Sequence, residues 1–129
     1  MIALKRAYDP VEKSDGARFL VDHLWPRGLK KEALEVRSWA RAVAPSDRLR
    51  KWFGHDPARW KEFERRYFAE LNQNPEAWQP LLQAAQTGDI TLVYSAQDTE
   101  HNNAAALKTF LERKMAARSR RPRGKLVPA

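Results

Sequence analysis

Leu20-Val21-Asp22-His23-Leu24-Trp25-Pro26-Arg27-Gly28 is the stretch on which the fold and the chemistry of this chain both turn. Ala17 to Leu24 reads as a strand, apolar from Phe19 to Val21 and so buried on both faces. It runs into a charged turn broken by Pro26 and closed by Gly28. An aspartate, a tryptophan and an arginine are gathered where a strand leaves a sheet, and loops held by a rigid scaffold are where function concentrates.

Working outward, Ile2 to Tyr8 reads as a first strand, stopped by Asp9-Pro10, with a turn at Ser14-Asp15-Gly16. Ile90-Thr91-Leu92-Val93-Tyr94 is the clearest strand, β-branched and apolar. Between them the period is helical. Ser46 caps a helix that buries Leu49, Trp52 and Phe53 and ends at Gly54. Asp56-Pro57 opens another, in which Trp60, Phe63, Tyr67 and Leu71 share a face. A third starts at Asn74-Pro75, and Pro80 is expected to interrupt it or to mark its true first turn. Asp98 or Thr99 caps a last helix carrying Leu107, Phe110, Leu111 and Met115. The tract Lys30 to Pro45 fits strand and helix spacing about equally. Strands alternating with helices predict an α/β fold, with three or four short, mostly parallel strands covered on both faces, one of them thickly.

With 129 residues, 43% of them hydrophobic, the chain makes one domain. It has no cysteine, which excludes disulfides, a thiol nucleophile and thiolate metal sites, and fits a reducing cytosol. No stretch has signal-peptide or membrane-span character. The formal charge of +8 is uneven. Seven of the 24 basic residues lie in 113–129 with no acid, so 1–112 carries 17 basic against 16 acidic residues. The expected division is a domain over 1–113 and a basic, disordered tail over 114–129.

In open α/β sheets ligands bind beyond the carboxyl ends of the strands. Asp22 to Gly28 and Tyr94 to Asn102 both follow strands, so neighbouring strands would bring Asp22, Arg27, Tyr94, Asp98, His101 and Asn102 together. A helix start near His101 would attract an anion, with Arg27 as a second contact. His55, between two helices, could enter the crevice as a proton carrier or cap the preceding helix. His23 is expected to point away from Asp22, since neighbours on a strand face opposite sides. The plain alternatives are that Asp22 and Arg27 pair with each other, that Asp98 only caps a helix, and that Trp25-Pro26 only fixes the loop. The spacing of the histidines and acids makes no metal motif, and Tyr94-Ser95-Ala96 lacks the glycines of a nucleophile elbow.

Leu20-Val21-Asp22, Leu24-Trp25-Pro26-Arg27-Gly28, Ala44-Pro45-Ser46, Trp52-Phe53-Gly54-His55-Asp56-Pro57, Arg66-Tyr67 and Glu100-His101-Asn102 resemble the domain-of-unknown-function 488 family, YeaO-like branch. The resemblance covers residues 2 to 113. It implies a small cytoplasmic α/β/α protein of Rossmann-like shape, with Asp22, Trp25, Arg27, His55, Tyr94, Asp98, His101 and Asn102 in its signature. His23 stands where the family commonly has arginine, and Ser95 where alanine is common.

The leading expectation is a pocket for a small anionic or nucleotide-like molecule. Asp22, His55 and His101 would move protons if it is a hydrolase, and Trp25, Arg27, Tyr94, Asp98 and Asn102 would bind the substrate. The rivals are a non-catalytic nucleic-acid module working through residues 113–125, and a partner-docking protein that keeps the pocket as a relic. No cofactor, metal or oligomeric state follows from the residues, and a membrane partner is not expected.

Overall fold

The computed structural model describes residues 1–119. Strands β1 (Ile2–Arg6), β2 (Ala17–Leu20), β3 (Ser38–Trp39) and β4 (Ile90–Tyr94) form one sheet in the order β1-β4-β2-β3. Every neighbouring pair is parallel, with Leu4 opposite Leu92 and Phe19 opposite Leu92 on the other side. The helices are α1 (Lys31–Leu34), α2 (Asp47–Phe53), α3 (Trp60–Asn72), α4 (Pro75–Thr87) and α5 (Asn103–Ser119). This is a small three-layer α/β/α fold.

The two faces of the sheet are unequal. Phe19 and Val21, with Ile90, Leu92 and Tyr94, point into a large core filled by α2 to α5. Leu20 and Val93 point the other way, onto Ala7 and Leu34 of α1. Among the described residues that second face carries one short helix, and a buried ion network lies beside it. Arg18 donates to Asp15 at 2.7 Å and to the Leu34 carbonyl, while Lys5 reaches the other Asp15 oxygen at 2.9 Å. Because β4 has a strand on each side and cover on both faces, all five of its residues are buried.

The first two strands are shorter than the apolar runs suggest. β1 stops at Arg6, where the Asp9 carboxylate accepts the Arg6 N–H. β2 stops at Leu20, not Leu24; one more ladder bond joins the Val21 N–H to Val93 O, and side chains take over beyond it. The ambiguous tract resolves into α1, β3 and a 3-10 turn over Arg41–Val43. Pro80 neither breaks nor starts a helix, because α4 runs through it. Pro80 and Glu76 are both exposed, so water can reach the Glu76 carbonyl that the proline leaves without an amide partner.

The last helix also differs from expectation at both ends. It begins at Asn103, with the Asn102 side chain accepting the Ala105 N–H, so Asn102 is the cap in place of Asp98 or Thr99. It continues to Ser119, past the expected boundary at 113. Met115 packs on the core, Lys114 lies over Trp78 and Phe110, and Arg113 lies over Phe68. The rest of the expected tail lies outside the described residues. Among the described residues no helix is long and apolar enough to cross a membrane.

Tyr67 joins the helical layer to the 3-10 turn. It is wholly buried, and its hydroxyl donates to the Val43 carbonyl. Burial pushes its pKa up, so it stays a neutral donor. Tyr67→Phe should therefore cost about 1–3 kcal/mol by leaving that carbonyl unsatisfied. Urea unfolding checks this, and an unchanged midpoint would contradict it.

Candidate functional site: a two-lobed cleft at the carboxyl ends of β2 and β4

The site rests on the adjacency of β2 and β4, which places the segments after them side by side. Asp22 follows β2, and its Oδ2 accepts the Ser95 N–H at 2.8 Å. A carboxylate thus continues the sheet where the backbone ladder stops. Asn103, in the first turn of α5, donates its side-chain amide to the Val21 carbonyl at 3.0 Å and closes the same corner.

Above this corner opens a cleft of about 990 Å³, within the size range of small-molecule sites. Asp22, His23, Trp25, Arg27, Arg50, His55, Ser95, Asp98 and Asn103 line it. A narrower lobe of about 100 Å³ lies between Phe53, Phe63, His101 and Asn102. Both lobes share Pro45, Arg50, His55, Ala96 and Asn103.

Each wall has a local cause. Tyr8 donates to the Arg27 carbonyl at 3.0 Å, Trp25 Nε1 to Leu29 O at 2.6 Å and Trp39 Nε1 to Asp22 O at 2.7 Å. The two indoles meet edge to face, 5.6 Å apart. Trp25 both fixes the loop and walls the cleft. Arg27 does not pair with Asp22; among the described residues its side chain has no ion-pair or hydrogen-bond partner. Arg50, half-buried on α2, donates to Pro45 O at 3.1 Å and to Asp47. His55 sits in the left-handed region at φ 57°, just beyond the Gly54 that ends α2. Its ring makes no hydrogen bond to the helix carbonyls and borders both lobes, so it does not serve as the helix cap.

The electrostatics separate the two acids. Burial pushes the Asp22 carboxyl above its ordinary range, against the pull of the Ser95 amide, Asn103, the Ser95 hydroxyl and the Arg50 charge. Asp98 is held below its ordinary range, first by the His101 and Glu100 amides and then by the His101 ring at 3.0 Å. Asp22 therefore weighs on the fold once it ionises. A folded-state pKa above the unfolded one makes the cost grow as pH rises through it. Asp22→Asn should melt higher than the parent at pH 7, and the difference should vanish well below pH 4, where the carboxyl is neutral in both states. Melting curves at several pH values test this, and equal temperatures at pH 7 would refute it.

The sites expected from sequence divide three ways. Asp22, Trp25, Arg27, His55 and Asp98 line the main lobe. His101 and Asn102 border only the narrow one, so His101 and Arg27 do not grip one anion as expected. His101 is tied to Asp98, and both ends of the Asn102 amide are used internally, by Asp98 O and the Ala105 N–H. Tyr94 lines neither lobe and is buried in the main core, because its side chain alternates with Ser95 across the sheet edge.

A family model described as "Inactive DUF488-N3 subclade" matches residues 1–128. The chain belongs to the DUF488 family. It is 43% identical to the uncharacterized protein YeaO of Escherichia coli over 110 residues, 85% of this chain and 96% of that one. An uncharacterized protein of Mycobacterium tuberculosis is 34% identical over 110 residues, 85% of this chain and 92% of its own. No solved structure matches.

In this DUF488 protein, sequence reasoning missed His23, Arg50, Asn103 and Tyr8 as cleft residues. His23 was expected to face away, by strand alternation. Since β2 ends at Leu20, alternation does not govern residues 22 and 23, and both border the cleft. Arg50 carried a legible signal: it lies between the buried Leu49 and Phe53, on the flank of the helix that follows Ala44-Pro45-Ser46. Among the described residues no group of three or more histidines and carboxylates is placed to hold a metal ion.

Proposed function

We propose that the cleft binds a small anionic molecule, in the cytoplasm, without turning it over. The observation that carries this reading is the set of cations on one cavity. Arg27, without a partner of its own among the described residues, and Arg50 face it together with His23 and His55. Arg27 is exposed and Arg50 half-buried, so both can reach an anion from solvent, and guanidinium groups suit phosphate and carboxylate geometry. The description of the matching subclade as inactive supports binding without chemistry. His101 borders only the narrow lobe, with its ring 5.4 Å from Trp60, and so stands apart from the main lobe that Arg27 lines. The competing nucleic-acid reading gains less from the described part of α5, where Arg113 and Lys114 lie over aromatic rings.

The test is a thermal shift of the full chain with inorganic pyrophosphate. A millimolar excess over Kd should raise the melting temperature by several degrees, since a ligand at 100 times Kd stabilises by about 2.7 kcal/mol. The same shift is expected after deletion of residues 120–129. No shift with pyrophosphate, or phosphate release from ATP or a nucleoside monophosphate by the purified protein, would overturn the reading.

A further inference from the structure

The cations account for one part of the cleft and leave its outer lip unexplained. Among the described residues four large apolar side chains stand exposed: Met1, Tyr8, Val11 and Leu24. Tyr8 and Leu24 line this one cavity, although they come from different turns of the chain. Leu24 keeps 69% of its surface in water and Tyr8 46%. Beside them Trp25 is half-buried and Pro26 buried, and both line the cavity too. A single exposed leucine is ordinary. Apolar side chains from separate segments that meet on a concave surface mark a place where something apolar is covered.

The lip is a fixed surface. The Tyr8 hydroxyl donates to the Arg27 carbonyl at 3.0 Å, and the Arg6 guanidinium lies 5.3 Å from the ring centre. Arg6 is itself tied to the carbonyls of Ser95 and Ala96. Trp25 is held through Nε1 to the Leu29 carbonyl and by its edge-to-face contact with Trp39. These rings therefore lose little freedom when a ligand covers them. With their donors committed, Tyr8 and Trp25 offer the cavity mainly carbon. A cation is adjacent, because Arg27 is the residue that anchors Tyr8.

We infer that the cleft takes an amphiphilic anion, its charged group held by Arg27 and Arg50 and a compact apolar group laid against Tyr8, Leu24 and Trp25. This rests on the anion-binding reading above and narrows it from any small anion to one with an apolar end.

Calorimetry on the full chain tests it with two matched pairs: benzylphosphonate against methylphosphonate, and phenylacetate against acetate. Each pair keeps the anionic group and changes the apolar one. The aromatic member should bind at least about tenfold more tightly in one pair or both, which requires about 55 Å² of apolar surface to leave water. The pair that binds more tightly names the head group, phosphate-like or carboxylate. Leu24→Ala and Tyr8→Ala should each cut the ratio to about threefold or less, and Tyr8→Phe, which keeps the ring, should recover most of it. The ratio cancels any general change in anion affinity, and the exposed Leu24 can be truncated without unfolding the domain. A ratio near one in both pairs, or one that survives Leu24→Ala and Tyr8→Ala alike, would overturn the inference, while pyrophosphate binding would leave the anion site standing. Failure of pyrophosphate and all four probes to bind would remove the anion site and this inference together.

Discussion

Asp15→Ala should destabilise the protein by about 3–5 kcal/mol, the range for breaking a buried ion pair and orphaning its partner. Arg18 and Asp15 keep only 3% and 6% of their side-chain surface in water. Arg18 donates to Asp15 Oδ2 at 2.7 Å and, with its other nitrogens, to the Leu34 carbonyl at 3.0 and 3.2 Å. Without Asp15 that guanidinium stays buried with no carboxylate, and the Glu12 N–H loses its acceptor at 3.0 Å. A loss of this size is a large share of the 5–15 kcal/mol that ordinarily holds a domain together.

The effect has a pH signature. Burial alone would raise the Asp15 pKa, but Lys5, the Glu12 amide and Arg18 outweigh it and leave it below the ordinary carboxylate range. A carboxyl with a depressed folded-state pKa contributes stability that is complete above its unfolded pKa, near 4, and drains away as pH falls through the folded value. The parent should therefore lose stability on acidification below about pH 4, and Asp15→Ala should lose less over the same interval. Denaturant titrations at pH 7 and pH 3 measure both. The double variant Asp15→Leu with Arg18→Met should recover part of the loss at pH 7, because an apolar pair of similar volume leaves no buried guanidinium without its carboxylate, although the Leu34 carbonyl and the Glu12 N–H still lose their partners. A single variant as stable as the parent would show that the network on the thin face of the sheet contributes little.

Arg50→Ala should leave the fold nearly intact and weaken pyrophosphate binding by about 10- to 100-fold, the loss of one or two charge-assisted contacts. The two effects separate because the structural partners of Arg50 are weak ones. Asp47 is two-thirds exposed, and exposed pairs contribute about 0–1 kcal/mol. Arg50 faces both lobes of the cleft and retains donors beyond those given to Pro45 and Asp47. Arg50→Lys should fall between parent and alanine, since an ammonium keeps the charge and loses the fork. Titration calorimetry alongside thermal melts decides it. Unchanged affinity in Arg50→Ala would take Arg50 out of the site, and a collapsed melting temperature would make it a structural residue.

Much of this was legible in the chain itself. The β-branched run Ile90 to Tyr94 and the apolar run Phe19 to Val21 predicted buried parallel strands, because only a strand covered on both faces tolerates so little polarity. Ser46, Gly54, Asp56 and Pro57 marked helix ends, because capping is a local hydrogen-bond problem that a few neighbouring residues solve. The same local logic failed at two expected helix ends, once to a competing turn and once to packing on the core. Asn102, not Asp98, caps α5, since Asp98 is drawn into a turn with His101. Pro80 is carried inside α4, since Trp78, Leu81 and Leu82 bury on the core and hold the helix together across it.

The sequence by itself determined the fold class, the positions of β1, β2 and β4 and the corner at Asp22 to Gly28, because periodicity and turn chemistry act through neighbours along the chain. Only the tertiary structure decided that β4 inserts between β1 and β2. That insertion sets Ser95 against Asp22, brings Arg50 and His23 to the same cleft, and sends Tyr94 and Asn102 inward. Strand order and the direction of side chains beyond the last ladder bond are settled by contacts between distant segments, and no local pattern encodes them.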